Sequence, residues 1–100
     1  KMSQLTESST EIPMPSTSVM TYAAKIAIVQ DRPIMLDYWK EASNGTAFLG
    51  VTSNDEKQLV KSESEYTSHI SKIFTIENDW IISTENSLYI VPASIARKRI

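Results

Sequence analysis

The sequence contains no cysteine, one histidine and two glycines in 100 residues. Without cysteine there are no disulfides, thiolate nucleophiles or sulfur-ligated metal sites, and an intracellular setting is favoured. With one histidine, any metal site would have to be built mainly from carboxylates. Gly45 and Gly50 stand alone, so there is no glycine-rich phosphate loop. Long apolar runs are missing too: "SLYIV" and "PIML" are far shorter than the roughly 20 residues that span a bilayer as a helix. Nor is charge of one sign in excess. Ten basic against twelve acidic residues leave a net charge of −2, so binding to a polyanion would need a local patch. Lys1-Met2 is not followed by the apolar stretch and cleavage site of a secretory signal. The expected location is the cytoplasm, nucleus or a virion, without secretion.

What is present suits one small domain: 41% of residues are apolar and 22% charged. Residues 1–17 are rich in Ser, Thr and Pro and are expected to form a flexible arm, with Ile12 and Met14 as anchors if it docks as a strap. Residues 18–96 are expected to form the β-rich domain and 97–100 a basic tail. Val19, Tyr22, Ala23, Ile26 and Val29 recur at helical spacing, which predicts a helix over about 18–30, capped by Ser16, Thr17 or Ser18.

Beyond the helix the apolar period falls to two. Segments 33–39 and 46–52 flank Ser43-Asn44-Gly45 and read as a hairpin, since Asn-Gly tolerates positive φ. The same Asn44-Gly45-Thr46 is formally a glycosylation sequon, but the turn explains it. A rival reading makes 33–43 a second helix, started by Asp31 and Pro33 and stopped by Gly45. Further strands are predicted at 57–62, as an edge, at 69–77, at about 80–84 and at 87–91, with corners at Asn78-Asp79 and Glu85-Asn86. The fold class is mainly β (α+β). An N-terminal helix precedes a five- or six-stranded antiparallel meander, the size and order of a small SH3-like or Sm-like barrel.

Catalytic chemistry is thinly represented. His69 follows Thr67 and Ser68, but neighbours on a strand point to opposite faces. Glu63 and Glu65 are two apart and would lie side by side on a strand, which suits a solvated pair better than an acid–base couple. "NDE" at 54–56 lacks the alternating ligands of a calcium loop. No enzyme, metal or cofactor is expected. Arg97, Lys98 and Arg99 together could neutralise phosphates, which supports an alternative reading as a nucleic-acid-binding barrel.

The larger excess is apolar. If Leu36, Leu49, Phe74, Ile82 and Ile90 point inward, alternation sends Met35, Trp39, Ile81 and Tyr89 outward or toward the helix. With Trp80 these residues form an expected partner-binding face, for a second copy or another protein, because clustered exposed side chains favour association.

"RPIMLDYW", "LGV", "LVKSESEYTSHISKI" and "TENSLYIV", in that order over residues 33–91, resemble segments of a family of small proteins encoded by nucleocytoplasmic large DNA viruses. The resemblance implies a structural or interaction component of the infected cell or virion. It implies no activity, cofactor or catalytic residue.

Overall fold

The computed structural model describes residues 13–100. The expected arm falls largely outside this range, and so does Ile12. Of its last residues, Pro13 and Met14 are exposed, and Ser16 caps helix α1 (Thr17–Gln30) by accepting a hydrogen bond from the Val19 amide at 3.1 Å. Such a cap satisfies an amide that the first helical turn leaves unpaired. Asp31 ends the helix with φ 56°, ahead of the proline that bars its continuation. Val19, Ala23 and Ile26 are buried, as their spacing predicts, whereas Tyr22 and Val29 are exposed.

The segment expected to be the first strand divides. Only Ile34–Met35 (β1) is extended, and it pairs in parallel with a later strand. Trp39–Ser43 forms the short helix α2, so the rival helical reading holds for the second half of 33–43. Asn44-Gly45 ends α2 instead of closing a hairpin, with Gly45 at φ 88°.

The remaining strands are β2 (Phe48–Val51), β3 (Lys57–Ser62), β4 (Glu65–Tyr66), β5 (Ile70–Ile76), β6 (Asp79–Thr84), β7 (Leu88–Pro92) and β8 (Ala96–Arg99). They form two four-stranded sheets, in the orders β1-β7-β6-β5 and β4-β3-β2-β8, and the described residues do not close into a barrel. The meander is present in two pieces, β5-β6-β7 and β2-β3-β4, each antiparallel. Each sheet then gains one parallel strand, β1 beside β7 and β8 beside β2. Strand β3 is interior and not an edge, because Glu65–Tyr66 in the polar link pairs with it.

The first sheet is packed on both faces along β6 and β7. Trp80, Ile82 and Val91 pack with Leu49 and Leu59 of the second sheet, and with Tyr38 and Ala42. The alternate residues Ile81, Leu88 and Ile90 pack with Val19, Ala23 and Ile26 of α1, and with Trp39. All six residues of β6 are accordingly buried. Helix, sheet and sheet are stacked as three layers with two apolar seams.

Candidate functional site

The expected partner-binding face belongs to these seams. Trp39, Trp80 and Ile81 are buried, and Met35 and Tyr89 are half-buried. Of the two sides expected, outward or toward the helix, Ile81 and Trp39 take the helix side, where they pack with Val19, Ala23 and Ile26. The expectation of an outward face is corrected because α1 covers the second side of β6 and β7, and because Trp39 itself lies on a helix, where strand alternation does not apply. Its indole Nε1 donates to the Pro13 carbonyl at 2.6 Å. Tyr89 meets Tyr38 edge to face at 5.4 Å. Leu36, expected inside, is exposed.

Burial next to the carboxylates Asp37, Glu65 and Glu41 and the second phenol pushes Tyr38 up to about 12, and burial also raises Tyr89. Above about pH 10, the ordinary tyrosine value, the unfolded chain loses protons that the folded chain keeps. Stability is therefore expected to fall from about pH 10 to about pH 12, where Tyr38 ionises in the folded state as well. Urea midpoints measured across this range check it. Tyr38→Phe should flatten the fall, and an unchanged slope would remove Tyr38 as its source.

The residues considered for catalysis are dispersed. His69 is exposed with Nδ1 3.4 Å from Glu56 Oε1, while Ser68 Oγ accepts from Asn86 Nδ2. Glu63 lies in a turn and Glu65 on β4, so they do not share a strand. Among the described residues no three His, Asp or Glu side chains converge as a metal site.

The basic cluster is a strand and not a tail. Lys98 stands over the Phe48 ring at 4.7 Å, whereas Arg97 lies over Trp80 at 5.3 Å. Strand alternation sends the three cations to opposite faces of the sheet. They therefore do not converge on one phosphate run.

The exposed feature that sequence reasoning missed is the outer face of the second sheet. Leu49 and Leu59 face the core, so their neighbours Phe48 and Val60 face out. Cross-strand pairing aligns Tyr66, Val60, Phe48 and Ala96 in one row and Gln58, Gly50 and Lys98 in the next. Between them runs a trough of about 470 Å³ lined by the apolar Phe48, Val60, Tyr66 and Ile100 together with Gln58, Ser62 and Glu63.

Gly50 hollows the floor of this trough. A Cβ there would lie 2.7 Å from Ile100 Cδ1 and 3.2 Å from Val60 Cγ2, so Ile100 folds into the space that a side chain would take. Tyr66 and Ile100 are 59% and 52% exposed, large apolar surface that water leaves unsatisfied. Phe48 and Val60 were legible as strand residues. What placed them outside was the register of β2 on β3, which sets Leu49 opposite Leu59 on the core side. Comparison with protein-family models, curated proteins and solved structures gives no match to this chain.

Proposed function

We propose that the protein is an interaction module that binds another protein through the trough on the outer face of its second sheet. The observation that carries this is the trough itself: its volume is within the range of ligand-binding clefts and its surface is chiefly apolar, with few polar groups. A leucine-sized side chain from a partner would bury Tyr66 and Ile100 on entering. In the viral setting that the resemblance implies, the module acts as a component of a larger assembly. The basic cluster supports a nucleic-acid reading less well, because its cations point to two faces and one is engaged with Trp80.

N-acetyl-leucine amide is a suitable probe. Titrated into the folded protein, it is expected to shift the NMR signals of Val60, Ile100, Phe48 and Tyr66 saturably, in the millimolar range typical of so small a ligand. Tyr66→Ser should weaken that binding while leaving the fold intact, since Tyr66 contributes little to the core. Shifts centred instead on the exposed Ile28 and Val29 of α1 would move the interaction surface to the helix and overturn the proposal.

A further inference from the structure

We infer that the trough's partner docks as an extended acidic segment, adding a fifth strand to the free edge of β8. The inference rests on the reading of the trough as a docking surface and names the chemistry of a partner segment that docks beside it.

Strand β8 ends the second sheet, and among the described residues nothing pairs with its outer edge. The Ile100 amide donates to the Val51 carbonyl at 2.9 Å, so Ile100, Lys98 and Ala96 turn their backbone groups toward β2. Backbone groups alternate sides along a strand, which leaves the amides and carbonyls of Arg97 and Arg99 pointing outward, free to accept a ladder.

Side chains alternate as well. Lys98 and Ile100 stand on the trough face, and Arg97 and Arg99 on the other. A strand laid against this edge would therefore set every second residue beside Lys98 and Ile100, next to the trough and not inside its β2–β4 lining, and the residues between beside the guanidinium groups of Arg97 and Arg99. Carboxylates match Arg97 and Arg99, and apolar side chains match Ile100 and the methylene stem of Lys98. Among the described residues no carboxylate pairs with Arg97, Lys98 or Arg99, so the positive edge is uncompensated.

The same charge rejects a second copy. Antiparallel pairing of β8 with its own duplicate would set cation against cation, which destabilises cross-strand pairs and is a common guard against edge-to-edge association. The other edges suit strand addition less well. Strands β1 and β4 are two residues long, and β5 carries an irregularity between Ile70 and Lys72.

Proline substitution separates the outward donor from the inward ones. Arg99→Pro removes an amide that β2 does not use, and an edge strand tolerates proline there. Lys98→Pro removes a ladder donor and should destabilise the sheet. The probe is acetyl-Glu-Leu-Glu-Leu-Glu-Leu-amide, with the same peptide bearing Lys for Glu as control.

The acidic peptide is expected to slow hydrogen exchange at the Arg97 and Arg99 amides, and the basic one is not. Arg99→Pro should weaken acidic-peptide binding about tenfold, while Arg99→Lys, which keeps the amide, should weaken it less. Equal binding of both peptides, protection confined to β5, unaltered binding by Arg99→Pro, or a doubled native mass that Arg99→Pro abolishes would each overturn strand addition. If the peptide fails while N-acetyl-leucine amide still fills the trough, strand addition alone is lost. If both fail, the docking reading is lost with it.

Discussion

Trp39→Ala is expected to lower the free energy of unfolding by about 3–5 kcal/mol, the range for removing a large aromatic from a core. A domain of this length has roughly 5–15 kcal/mol in total, so much of the population could lose cooperative folding. The indole lies between α1 and the first sheet, in contact with a cluster that includes Val19, Ile26, Ile81 and Ile90, and is 7% exposed. Truncation would open a void that a short helix anchored at both ends cannot close. Urea denaturation followed by circular dichroism measures the loss. Trp39→Phe keeps most of the volume and forfeits the hydrogen bond to Pro13, so it should cost only about 1 kcal/mol. An alanine variant with unchanged stability but altered native mass would show Trp39 acting at an interface instead.

That prediction inverts the expectation drawn from alternation, for a reason visible in β6. Apolar residues on both faces of "WIIS" read either as a sheet with surplus surface or as a central layer covered twice. Sequence alone does not choose, since both bury the same side chains. The choice was made by α1, whose Val19, Ala23 and Ile26 cover Ile81 and Ile90. Strands β3, β5, β6 and β7 were legible because polar corners bound them and their apolar period is two.

The parallel pairings of β1 and β8 were not legible, although β1 lies inside the segment 33–39 read as a strand. Parallel neighbours are joined by distant chain and leave no turn signature between them. For β8 the composition also pointed the wrong way, because "ARKR" has the character of a solvated tail. Its extended shape comes from pairing with β2, from the amide of Ile100 and from the buried Ile95 that precedes it. The trough shared that fate. Phe48, Val60 and Tyr66 are 18 residues apart in sequence at most, yet their common row exists only once β2, β3 and β4 are in register.

Thr84→Val should cost about 1–3 kcal/mol although it preserves the shape of the side chain. Thr84 is fully buried in the corner of "TENSLYIV", where Oγ1 accepts from the amides of Asn86 and Ser87, each at 3.2 Å, and donates to the Ser87 carbonyl. A methyl group in its place leaves the buried Ser87 amide without that acceptor, while the exposed Asn86 amide can turn to water. The corner sets the register of β6 on β7, and β7 in turn receives β1, so the loss is not confined to one turn. Arg32 ties the same place to the end of α1, donating to Ser83 Oγ at 2.9 Å and to the Thr84 carbonyl at 2.6 Å. Thr84→Ser keeps the hydroxyl and gives up one methyl, so it should be the milder change. If urea denaturation ranks Val at or above Ser, strand pairing and packing hold the corner and the hydroxyl is dispensable. The opposite order would assign the register of the first sheet to a single buried oxygen.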